Sequence, residues 1–202
     1  MALHWENTML KHRIDAICVG ILGTALLVAT STAAGAVSQP EQDAAWDFMH
    51  HRASPLVQAV RDATARYRDV SRAEADGYTP VLGCVSGPDM GAMGMHYLKA
   101  SLLADGVVDV AHPELLVYEP LPNGRVQLVA AEYLQIADVW DSAHTDGSPP
   151  LLMGQLFDHT TAPNRFRLPA HYSLHVWAWK YNPRGVFSMW NPRVSCAAFT
   201  GL

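Results

Sequence analysis

The residues of this chain best suited to chemistry are histidines and a glutamate set among apolar neighbours. The densest stretch is 171–196, HYSLHVWAWKYNPRGVFSMWNPRVSC, with two histidines, three tryptophans, two Asn-Pro turns and a cysteine. Read with a period of two, His171, Ser173, His175, Trp177 and Trp179 share one face of a strand. Tyr172, Leu174, Val176 and Ala178 share the other. A second cue is Glu132, which stands in an otherwise apolar row of Val126, Leu128, Ala130 and Leu134. An isolated buried carboxylate charge is too costly to persist, so Glu132 needs a partner, a proton or a metal. Imidazole nitrogen suits Zn, Cu, Fe and Ni, and an added carboxylate oxygen favours Zn or Fe(II). His171 and His175 lie four residues apart, roughly 13 Å along a strand. Both can reach one metal only if the strand bends or bulges, which makes His175 the safer ligand.

Other readings of the same residues stand beside this one. A histidine next to a carboxylate in a core is commonly a satisfied polar pair, and such a pair can also do acid–base chemistry without metal. Trp177 and Trp179 offer flat surfaces for a sugar or another small ligand, or they belong to a tryptophan-rich core. Met90, Met93 and Met95 carry soft sulfur suited to Cu(I), and methionine is equally an ordinary core filler. His50, His51, His112, His144 and His159 lie in polar or turn-rich segments and read as solvated. The chain has no nucleophile elbow, phosphate loop, HExxH or dinucleotide fingerprint.

These residues need a scaffold, and the chain order supplies one. Lys11, His12 and Arg13, the apolar run 16–30 and Ala34-Gly35-Ala36 have the pattern of an export signal over residues 1–36. A retained anchor is the rival reading, but the run falls short of the ~20 residues a membrane span needs. Residues 37–202 then form a single domain, periplasmic or secreted. Glu6 and Asp15 cancel Lys11 and Arg13, so this domain keeps the net charge of −5. No basic patch recommends a nucleic-acid partner. Cys18 leaves with the signal, and Cys84 and Cys196 remain as an expected disulfide. Thiolate metal ligation is the alternative, without a CxxC spacing to support it.

Ser54-Pro55 starts a helix with an apolar stripe of Leu56, Val57, Val60, Ala63 and Tyr67. A second short helix starts at Ser71 with a capping box to Glu74 and ends before Gly77. Residues 81–85 read as a strand and 87–96, with three glycines, as a loop. Residues 114–119 and 125–134 form a hairpin around Asn123-Gly124. Residues 139–164 read as a surface excursion or lid, 171–180 as a strand and 186–190 as a last short strand. The predicted fold is α+β, with N-terminal helices packed on a mostly antiparallel curved sheet braced by one disulfide.

The segments GAMGMHY (91–97), PELLVYEPLPNGRVQLVAAEY (113–133), HYSLHVWAWKYNPRGVF (171–187) and WNPRVSC (190–196) together resemble an uncharacterised family of secreted bacterial proteins. The resemblance spans roughly residues 55–196. It implies a histidine after Met-Gly, a glutamate in the returning hairpin strand and a histidine before Val-Trp, and it implies no activity. On this chain those positions are His96, Glu132 and His175, with His171 as a further ligand candidate. The functional expectation is an exported protein with a mononuclear His/Glu site for Zn, Fe or Cu and a small molecule or metal ion as its partner; if it is an enzyme, the metal would activate water or oxygen. The competing expectation is a non-catalytic module whose Trp177 and Trp179 hold a ligand while the histidines are structural.

Overall fold

A computed structural model describes residues 54–103 and 105–201. The expected export signal and the His50-His51 segment lie outside the described residues. Helix α1 (Pro55–Thr64) buries Leu56, Val57, Val60 and Thr64. A 3₁₀ turn (Ala65–Arg68) buries Tyr67, and helix α2 (Val70–Ala75) buries Ala73. Two helix starts differ from the expected ones. Ser54 makes no side-chain cap bond; Pro55 at the first position, with its preset φ, begins the helix instead. Helix α2 is capped by Asp69, whose carboxylate accepts from the Ser71 amide, so it starts one residue before Ser71. Gly77 ends it as predicted, at φ +90°.

Six strands form one antiparallel sheet: β1 (Thr79–Gly87), β2 (Gly91–Leu98), β3 (Leu115–Pro120), β4 (Val126–Ile136), β5 (Asp158–Thr160) and β6 (His171–Val176). The spatial order is β1-β2-β3-β4-β6-β5, curled into a half-barrel. Helices α1 and α2 cover the outer face. There α1 packs on Ala131, Tyr133, Leu174 and Val176, while Tyr67, Ala73 and Tyr78 pack on Met95, Tyr97, Leu116 and Tyr118. The inner face is filled by Val117, Ala130, Trp177 and Val194 from β3, β4 and the C-terminal segment. Cys84 and Cys196 form the expected disulfide, which ties β1 to that segment. The predicted α+β architecture is therefore the observed one. No helix among the described residues is long and apolar enough to cross a membrane.

Several local expectations give way to tertiary effects. The glycine-rich stretch 87–96 is mostly strand β2 rather than loop. Its glycines serve close backbone approach: a Cβ at Gly91 would collide with the Asn191 and Pro192 backbone. One at Gly94 would lie 2.6 Å from the Tyr118 carbonyl oxygen. The β3–β4 hairpin turns at Asn123-Gly124, both at positive φ, as predicted. Strict alternation fails within β4, however. The register steps from Val117↔Ala130 to Tyr118↔Leu128, so Val129 is a bulge and Leu128 moves to the helix-covered face, away from Ala130 and Glu132. Strand β6 ends at Val176 rather than 180, because Ala178 N–H turns back onto the Val176 carbonyl. Residues 186–190 form no strand; Val186 instead accepts from the Trp177 amide as part of a turn-built cap. The excursion 139–164 carries a short helix, a two-residue hairpin and the edge strand β5.

Candidate metal centre

His96 lies on β2, Glu132 on β4 and His175 on β6, all facing the inside of the curl. Glu132 and His175 are direct cross-strand neighbours, so their alternation places them side by side. His96 is two strands from Glu132: it pairs with Val117 of β3, and Leu115 of β3 pairs with Glu132. In a flat sheet two strand spacings separate such residues by about 9.6 Å, before the two-residue offset is added. Yet His96 Nε2 lies 3.3 Å from Glu132 Oε2. The curl of the sheet closes that gap, and the Val129 bulge, where local twist rises, lies beside it.

His175 Nε2 reaches the same carboxylate oxygen at 3.5 Å. One ligand atom from each of the three residues lies within 4.8 Å of the other two. All three residues are buried, with exposures of 2–4%. The 3.3 and 3.5 Å separations are long for N–H···O hydrogen bonds. They match the edge of a tetrahedron around zinc, which bonds of 2.0 to 2.2 Å to nitrogen and oxygen make about 3.3 to 3.5 Å.

The electrostatics fit a site that is neutral until a cation enters. Burial pushes the Glu132 carboxyl up to about 8, reinforced by nearby Glu114, while a hydrogen bond from Ser173 works weakly the other way. Burial holds His96 down at about 4. Burial, with His96 and His171 nearby, holds His175 down at about 3. Near pH 7 the trio is therefore one protonated carboxyl and two neutral imidazoles. A single carboxyl proton serves one acceptor. His175 Nε2, aimed at it, is a buried nitrogen without a hydrogen-bond partner, as is His96 Nδ1. A divalent ion would satisfy both Nε2 lone pairs and the carboxylate together.

The other expected residues are placed differently. His171 faces the same side of β6 and is 3% exposed. Its Nδ1–H donates to the Pro169 carbonyl at 2.8 Å, and it stands outside the three-residue cluster. Register with β4 runs unbroken from His171 to Val176, so no bend or bulge brings His171 to His175. It does line, with His96 and Glu132, a cavity of about 30 Å³ whose walls include Met93, Leu134, Phe166 and Met189. That volume holds one or two waters.

Trp177 and Trp179 do not share a ligand face, which corrects the strand-based expectation. With β6 ended at Val176, Trp177 is fully buried and its indole N–H donates to the Ser188 carbonyl. Trp179 donates to Thr64 Oγ1, and the Arg68 guanidinium covers its ring. The methionines do not converge either. Met93 lines the cavity, whereas Met95 packs against the helices on the opposite face.

His112 pairs with Asp109 in the open, His144 stacks on Trp140 and His159 on Tyr172. Two buried carboxylates escaped the sequence reading. Glu114 accepts from Gln135 Nε2 and the Leu134 amide. Glu119 accepts from Lys180 Nζ and the Ser195 amide, fastening β3 to the C-terminal segment. Strand propensity hid both, and only a polar residue at a strand end hinted at them. Comparisons with family models, curated proteins and solved structures return no match for this chain.

Proposed function

We propose that the protein is an exported metalloprotein whose mononuclear centre is held by His96, Glu132 and His175. The observation that carries this reading is the convergence of two imidazole Nε2 atoms on one buried carboxylate oxygen at tetrahedral-edge spacing. Zinc fits the spacing and the two-histidine, one-carboxylate donor set best; iron and copper are the competing occupants. Three protein ligands leave a coordination position free, and the adjoining cavity has room for a water or a comparably small group beside His96 and Glu132. A metal bound there would supply Lewis acidity and a water acidic enough to act near neutral pH.

The chain's own residues supply the setting. Ser173 holds the Glu132 carboxyl. His171 is fixed by Pro169 with Nε2 as its unprotonated nitrogen when neutral, and Met93, Leu134 and Phe166 limit water. The Cys84–Cys196 disulfide points to an oxidising, extracytoplasmic compartment, in keeping with the export signal. The sequence motifs resemble those of a family of secreted bacterial proteins, and periplasm or medium is the proposed location. A tryptophan-lined ligand module is the weaker reading, since Trp177 is enclosed and Trp179 covered.

The test is elemental analysis of protein exported to the periplasm and purified without a histidine tag. Near one equivalent of metal is expected, lost in His96→Ala and His175→Ala and kept in His171→Ala. Folded wild-type protein that takes up no zinc, iron or copper on reconstitution would show the trio to be a structural polar cluster.

A further inference from the structure

The cavity above the candidate metal centre opens at a rim that carries unneutralised positive charge. One side of the rim is the Leu82-Gly83 kink of β1, where register breaks between Val81 and Cys84 and Leu82 sits at φ +62° and half exposed. The other side is the segment 164–168. Asn164 organises that segment: its Oδ1 accepts from the Phe166 and Leu168 amides and its Nδ2 donates to the Thr161 and Leu168 carbonyls.

Phe166 and Leu82 line both the inner cavity and an adjoining outer hollow of about 280 Å³, which Arg165 and Arg167 also line. Arg165 is held in place, donating to the Ser86 carbonyl and lying over the rings of Phe166 and Trp190. One guanidinium N–H is used there, and the rest of its fork is free to serve a ligand. Arg167 is exposed at φ +57°, a left-handed conformation that non-glycine residues adopt rarely. No carboxylate among the described residues pairs with either arginine. Two such cations at one mouth stand out in a chain of net charge −5.

Apolar walls behind a pair of arginines are complementary to a small amphiphilic anion. We propose that this mouth binds a short-chain aliphatic carboxylate, its head between Arg165 and Arg167 and its tail in the cavity leading to His96 and Glu132. Guanidinium forks match a carboxylate bidentately, and the narrowness of the cavity restricts the tail to a few carbons. This deepens the metal-centre reading by naming the class of molecule delivered to it, and it rests on that reading for its purpose. The binding itself needs no metal.

The test uses the mature exported chain with ¹³C-methyl methionine, in metal-free and zinc-supplemented forms. Acetate, propionate, butyrate and hexanoate are titrated, with butanol and inorganic phosphate as comparisons. The Met93 and Met189 methyls report the cavity, and Met95, on the opposite face of the sheet, is the internal control.

Affinity should rise about fourfold per methylene over the first members and then level off. Butyrate should bind at least tenfold more tightly than butanol, in both forms of the protein. Arg167→Gln, whose side chain anchors nothing, should weaken butyrate by about tenfold and leave butanol unchanged. Arg165→Gln should act the same way with added loosening of the loop. Equal binding of butyrate and butanol, insensitivity to Arg167→Gln, or phosphate binding as tightly as butyrate would each overturn the proposal. Failure to take up metal with carboxylate binding intact would overturn only the metal centre.

Discussion

Replacing Glu132 by Gln separates a metal ligand from a structural hydrogen-bonding residue, because the two roles predict opposite signs. The substitution keeps size and polarity and removes the ability to become an anion. In the metal-free protein the Glu132 carboxyl sits at about 8, pushed up by burial from an ordinary 4.5. A carboxyl raised in the folded state favours folding fully below its unfolded value, and that contribution is lost as pH rises toward the folded value. By pH 7 folding must hold a proton that the unfolded chain has released. Across the 2.5 units between the ordinary value and neutrality this costs on the order of 3 kcal/mol.

Glu132→Gln removes that burden. The metal-free variant should therefore be more stable than wild type at pH 7 by up to about 3 kcal/mol, and nearly equal to it at pH 4.5. Zinc should reverse the order. Ligand excess of a thousandfold over Kd stabilises wild type by about 4 kcal/mol, and a variant without the anionic ligand should bind at least a hundredfold more weakly. Urea unfolding at pH 4.5 and 7, with chelator and then with zinc, measures all four quantities. A metal-free variant destabilised by more than about 2 kcal/mol at pH 7, with no zinc response in wild type, would refute the reasoning: Glu132 would then be a hydrogen-bonded core residue.

Three further outcomes follow from the buried groups and the crosslink. Glu114 is also raised to about 8 by burial, so in metal-free wild type the two carboxyls should make unfolding release about two protons between pH 6.5 and 7.5. Stability then falls by about 3 kcal/mol per pH unit, and Glu132→Gln should halve the slope. On the acid side, depressed His96 and His175 favour folding above about 6.5, and that contribution is lost as pH falls toward about 4 and 3. An unfolding series below pH 4.5 should show the loss, and a flat acid limb would contradict the buried neutral imidazoles. Removal of the disulfide by Cys84→Ala with Cys196→Ala opens a link across 112 residues. It should lower stability by about 4 to 5 kcal/mol in the chain-entropy view, read from the shift in urea midpoint at constant slope.

Local pattern carried much of this protein by itself. The two cysteines outside the expected export signal read as a disulfide, and they form one. Asn123-Gly124 set the hairpin because both positions need positive φ, and Pro55 marked the start of a helix. Alternation put Glu132 and His175 each on an inward face, and their strands then made them neighbours.

What no local pattern held was the third dimension of the sheet. His96 reaches Glu132 across β3 only because the sheet curls, and curvature arises from bulges and packing summed over strands far apart in sequence. The bulge at Val129 moved Leu128 to the other face, and the end of β6 at Val176 parted Trp177 from Trp179. Gly91 and Gly94 looked like loop residues because their cause, the backbones of Asn191 and Tyr118, lies elsewhere in the chain. Residue type and period settle which way a side chain points only where a strand runs unbroken; where it bulges or ends, and which other side chains it meets, depend on strand order and curl, and those are decided by the whole chain at once.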